Sequence, residues 1–181
     1  MRTYSPNLPA FLKEDRLSIR ATVVVLLATL LLPLLVHQLP LAGNVPVGAR
    51  LLPMFYAPFV AAVFFHPRVG MIAGLLAPVI NHLLTTFPAW PIVGVLSTEL
   101  VCFAFFAAIL LHLPVVQWLA APLSYLAAKV VSGTLLALFP GWLPDQKPVD
   151  FALTSIRNGW PGILVLTILG IVAGWMYFRK K

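Results

Sequence analysis

GLLAPVINHLLTTFP, residues 74–88, has the apolar density of a membrane helix, yet Pro78, Asn81 and His82 interrupt it. In hydrocarbon an unpartnered amide or imidazole is penalised, so such groups persist only where protein, water or a ligand receives them. The stretch sets two expectations. The chain crosses a bilayer, and this end of the helix faces something polar.

The rest of the 181 residues agrees with the first expectation, being 61% hydrophobic and 9% charged with a mean hydropathy of +0.98. A soluble domain carries about 25% charged residues to cover its surface. The chain reads as one integral membrane domain over residues 1–181, with no separate soluble unit. Its formal charge of +7 gathers at the ends and at one turn, which argues for a topology signal and against nucleic acid. The single cysteine, Cys102, lies in an apolar run and reads as a small packed hydrophobe with no disulfide or metal role. Residues 1–20 are polar and basic, and the apolar run from Ala21 to Val36 ends without an A-x-A site, so this segment reads as a retained helix.

Proline and glycine divide the chain into six apolar segments, near 17–39, 53–66, 67–86, 90–112, 114–139 and 151–178. A span needs about 20 residues, and the second segment, PMFYAPFVAAVFFH, falls short of that. The expected fold is all-α, a six-transmembrane-helix bundle. Arg2, Lys13, Arg16 and Arg20 precede the first segment, Arg68 follows the second, and Arg179, Lys180 and Lys181 close the chain, whereas only Arg50 and Lys147 fall on the opposite side. This bias puts both termini in the cytoplasm. Trp90 and Trp142 then mark the outer interface, and Trp118, Trp175 and Tyr177 the inner one. The longer connections, 41–52 (with Gly43, Asn44, Gly48 and Arg50) and 140–150, lie outside. GMIAG at 70–74 and GIVAG at 170–174 are small-xxx-small patterns that read as close helix packing.

Counting inward from the outer helix ends at 1.5 Å per residue gives similar depths for the costly residues. Asn81 and His82 lie ~6–8 Å deep, Glu99 ~13 Å, Lys129 ~15 Å and Arg157 ~9 Å. Tyr125, Lys129 and Ser132 share one helical face; Thr154 and Arg157 share another; Glu99 is followed on its face by Phe103 and Phe106. Polar groups converging among aromatic walls make up a small-molecule site. One carboxylate cannot neutralise two cations, so the pattern predicts water or an anionic ligand beside Lys129 and Arg157. The plainer reading is a structural salt bridge of Glu99 with Lys129 or Arg157 that locks three helices together, with His82 as a hydrogen-bonded helix contact. His37, His66 and His112 lie near helix ends and receive no role. No H-E-x-x-H, C-x-x-C, Walker A or G-x-S-x-G pattern occurs. The expectation is a protein that is not an enzyme, with no catalytic residues, no metal site and no cofactor.

Residues 49–100, ARLLPMFYAPFVAAVFFHPRVGMIAGLLAPVINHLLTTFPAWPIVGVLSTEL, also carry a resemblance. Leu52-Pro53-Met54 with Pro58, the turn at Pro67 and Gly70, the run Gly74, Pro78, Leu83, Leu84, Thr85 and Pro88, and Glu99-Leu100 resemble the substrate-binding S components of energy-coupling factor (ECF) vitamin transporters. The detailed match spans roughly residues 49–110; beyond it only size and topology correspond. Thr86 stands where that family often has glycine, and the first segment has Ala21 and Ala28 seven apart in place of an A-x-x-x-A pair.

The resemblance implies a high-affinity binder in a bacterial plasma (inner) membrane, with its pocket near the outer face under loop 41–52. It implies a vitamin-like ligand, and as partners an ECF transmembrane coupling subunit with two cytoplasmic ATPase subunits. The candidate substrate-binding residues are Asn81, His82, Glu99, Tyr125, Lys129, Arg157, Arg50 and Tyr56, with Phe55 as a further stacking surface. Lys129 and Arg157 are expected to hold an anionic group and Arg50 to close the lid. The rival expectation is a non-transporting scaffold of the bacterial envelope with an internal charge cluster. A self-sufficient secondary carrier fits less well, because no inverted halves are visible.

Overall fold

The computed structural model describes residues 19–38, 45–143 and 146–178, which form helices and short connections with no strand among them. In chain order these are α1 (Ile19–His37), the short α2 (Val47–Leu51), a 3-10 turn at Pro53–Phe55 leading into α3 (Tyr56–Phe64), α4 (Pro67–Thr85), α5 (Trp90–Leu110), α6 (Ala120–Leu138), α7 (Pro148–Asn158) and α8 (Trp160–Phe178). Arg2, Lys13, Arg16, Gly43, Asn44, Arg179, Lys180 and Lys181 lie outside the described residues, as does the side chain of Tyr177.

Among the described residues, α1, α4, α5 and α6 (the last with the turn before it) are long and apolar enough to cross a bilayer, and α7 with α8 makes a fifth candidate if the bent pair is one span. The segment expected at 53–66 is a 12-residue apolar stretch, Pro53–Phe64, below the length of a full span. The segment expected at 151–178 is not one helix. Its two parts meet at 67°. The cause is local: Pro161 has no N–H, and its ring collides with the carbonyl four residues back in a continuous helix. Gly159, at φ −84° and ψ 4°, takes up the break.

The C-terminal residues of α1 and α4, the N-terminal residues of α5, the middle of α6, and α7 all border one cavity (through His37, Asn81, Ile92, Lys129 and Asp150, among others). α1 and α4 therefore run the same way, and the chain between them must return through residues 47–66. Arg20 and Arg68, at the starts of α1 and α4, mark the end remote from the cavity.

Small residues set the helix spacing. α1 buries Ala21, Val25, Thr29 and Pro33, spaced every fourth residue, and Ala21 and Val25 pack in one cluster with Ala57, Ala61, Val69 and Ala73. At Gly70 a side chain would meet the Pro58 carbonyl oxygen at 2.6 Å, and at Gly74 the Leu100 Cβ at 2.8 Å. The GMIAG pattern thus lets α4 approach α3 and α5. The second pattern, GIVAG, packs Gly170 and Gly174 on Trp118. An aromatic cluster fills the centre: Phe55 meets Phe103 edge-on at 5.1 Å and Tyr125 at 5.2 Å.

Candidate functional site

The helix end in GLLAPVINHLLTTFP turns out to be a stapled turn. Asn81 Nδ2 donates to the Phe87 carbonyl at 3.1 Å, Thr85 Oγ1 donates to the Asn81 carbonyl at 2.7 Å, and His82 Nδ1 lies 2.6 Å from the Pro88 carbonyl. A carbonyl only accepts, so that nitrogen carries the proton. The His82 ring also lies against Trp90, 4.3 Å between centroids. Backbone carbonyls freed at a helix end need partners, and these side chains provide them. Thr86 closes α4 in the left-handed region at φ 59°, the conformation that glycine adopts without strain.

Beside this turn is a cavity of about 720 Å³, within the range of roughly 300–1,000 Å³ typical of small-molecule sites. Its floor is a buried ion pair. Lys129 Nζ, from α6, donates to Glu99 Oε1 and Oε2, from α5, at 2.8 Å each. Ser132 Oγ, one turn beyond Lys129, donates to Oε1 at 2.8 Å. The ammonium also lies 5.4 Å from the ring centroids of Tyr125 and Phe151, close enough for cation–π attraction. Both charged groups are almost wholly buried, at 2% exposure for Glu99 and 6% for Lys129. Burying a charge is tolerated only with this degree of pairing.

Tyr125 completes the floor. It is 0% exposed, it lines the cavity, and its hydroxyl has no hydrogen-bond partner. Phe55, Leu52, Val95 and Leu96 supply apolar wall. The face of α7 formed by Asp150, Phe151, Thr154, Ser155 and Asn158 closes the side, with Lys147 just before it.

Of the residues expected to converge, Asn81, Glu99, Tyr125 and Lys129 do so, together with Phe55. The others do not line the cavity. His82 is committed to its own turn. Tyr56 follows Phe55 on the helix, points about 100° away from it, and its hydroxyl donates to the Leu51 carbonyl. Arg50 is half-buried and engaged, but not part of the wall. Arg157 corrects the charge argument most. The depth count assumed one straight helix, whereas α7 has no buried residue and Arg157 is exposed on it. Glu99 therefore balances Lys129 alone, and the surplus buried cation disappears.

Residues missed in the sequence include His37, Asp150, Ser155 and Asn158. Signals for most of them were present: NGWPG at 158–162 marks a break, and Asp150, Thr154, Ser155 and Asn158 form one polar helical face. No signal pointed to His37, whose ring enters the wall from the end of α1 while its Nδ1 meets the Pro33 carbonyl at 2.7 Å. Among the described residues no three His, Cys, Asp or Glu side chains cluster around a common point. No family model matches this sequence, and neither a curated protein nor a solved structure matches it.

Proposed function

We propose that this chain is the substrate-binding subunit of a membrane importer, working as the S components of ECF transporters do. In this reading it crosses a bacterial plasma membrane six times, with both termini in the cytoplasm. It captures a small molecule at the outer face and delivers it with a coupling membrane subunit and two cytoplasmic ATPases. The observation that carries the proposal is the position of the cavity: it lies at the helix ends remote from Arg20 and Arg68, which the positive-inside bias assigns to the cytoplasm. The sixth crossing is Pro53–Phe64. It is short because its upper end, Pro53–Phe55, is recessed into the cavity wall, and it still bridges between the parallel helices α1 and α4. Trp142, whose Nε1 donates to the Pro91 carbonyl at 3.1 Å, and Trp90 form the outer aromatic belt.

The scaffold reading keeps one specific observation in its favour, the mutual neutralisation of Glu99 and Lys129. A strut of this kind needs no ligand. It also needs no cavity beside it. The deciding experiment is to purify the protein in mild detergent, denature it, and identify released small molecules by mass spectrometry. A binder releases a defined compound and melts at a higher temperature when it is returned. A protein that releases nothing, and whose melting responds to no fraction of a cell extract, is a scaffold.

A further inference from the structure

We infer that the cavity takes an uncharged, ring-bearing compound that presents a hydrogen-bond acceptor, a carbonyl oxygen or ring nitrogen, to the Tyr125 hydroxyl; this rests on the ligand-binding reading above. The first ground is charge. Among the described residues the wall holds Glu99, Lys129, Lys147 and Asp150, two of each sign. At the floor Lys129 is bound to both oxygens of Glu99. An anion brought to the ammonium meets the carboxylate at almost the same distance, and a cation brought to the carboxylate meets the ammonium. In a low-dielectric site either approach gains little and sheds its hydration. The Glu99–Lys129 pair is a floor and not an anion subsite.

The second ground is the hydrogen-bond inventory. An ammonium has three donors and a carboxylate about four acceptor positions. Glu99 takes two bonds from Lys129 and one from Ser132, which leaves one acceptor position on Glu99 and one donor on Lys129. Tyr125 adds a second unsatisfied donor. The phenol oxygen can itself accept, so free donors and acceptors are balanced in number. It is the Tyr125 proton, with no protein acceptor in reach, that calls for an acceptor on the ligand. A fully buried hydroxyl without a partner is disfavoured, and its retention at a cavity wall is explained by a bond made when the cavity fills.

The third ground is the wall itself. Phe55 and Phe151 flank the floor, with Leu52, Met54, Val95 and Leu96 around them. These surfaces receive a flat ring better than a hydrated chain.

The test uses the full chain in mild detergent and three matched pairs of probes: the primary amide and the carboxylate of benzene, quinoline and acridine. Binding is read from the rise in melting midpoint and from tryptophan fluorescence titration. At least one amide is expected to bind, with its carboxylate at least about tenfold weaker, and Tyr125→Phe is expected to weaken the amide about tenfold with unchanged helix content. A carboxylate preferred over its amide, or an amide whose affinity ignores Tyr125→Phe, overturns the inference and leaves ligand binding intact. If no probe binds, the compound released on denaturing the purified protein decides: uncharged at pH 7 supports the inference, charged overturns it. No probe bound and no compound released overturns both readings.

Discussion

Lys129 on α6 holds both carboxylate oxygens of Glu99 on α5, at 2.8 Å each, inside an almost water-free floor. Removing one member leaves the other as an unpaired buried charge, which costs about 3–5 kcal/mol. Lys129→Met alone and Glu99→Gln alone are both expected to lower stability by amounts of that order. The double variant, with no charge left, should lose less than either single one. A double-mutant cycle read by unfolding in mixed micelles checks this, and additive losses would remove the pair from the account.

Tyr125→Phe behaves in the opposite sense. It deletes a buried hydroxyl that has no partner in the protein and leaves the ring against Phe55 in place. The ligand-free variant is expected to be as stable as the parent or more so, by up to about 1–3 kcal/mol. A clear loss of melting temperature would mean that the hydroxyl is already satisfied within the fold.

Thr86 sits at φ 59°, where a β-branched side chain crowds its own backbone. Glycine relieves the crowding, so Thr86→Gly is expected to stabilise the protein by about 1 kcal/mol. Thr86→Val keeps the strain and should gain nothing. Melting curves of the two variants side by side settle the matter.

The orientation is open to a direct chemical reading. In a Cys102→Ser background, Lys147→Cys should react with a membrane-impermeant maleimide in intact cells, whereas Arg68→Cys should react only after the cells are opened. Both parent residues are exposed, so burial does not mask the result. Labelling in the reverse order would invert the topology and put the cavity on the cytoplasmic side.

The single face carrying Tyr125, Lys129 and Ser132 was legible from spacing alone, because a helix maps sequence distance onto direction with a fixed period. The long apolar helices were legible too, in a chain with only 9% charged residues. Asn81 and His82 were marked as needing polar partners, and each has one within the protein. Composition and periodicity act along the chain, and they determined which side chains need a partner. They did not determine which partner each one finds.

That choice belonged to the tertiary structure. His82 spends its polarity on the Pro88 carbonyl, a contact made only once the chain has turned back. Glu99 meets Lys129 and not Arg157, because the break between α7 and α8 carries everything before Gly159 out of the line of the helix. One 67° bend thus moved a cation from the expected floor to the exterior and brought a polar helix face to the cavity instead. Pair distances across a bundle depend on where helices bend and how closely glycines let them approach, and no count along one helix contains that information.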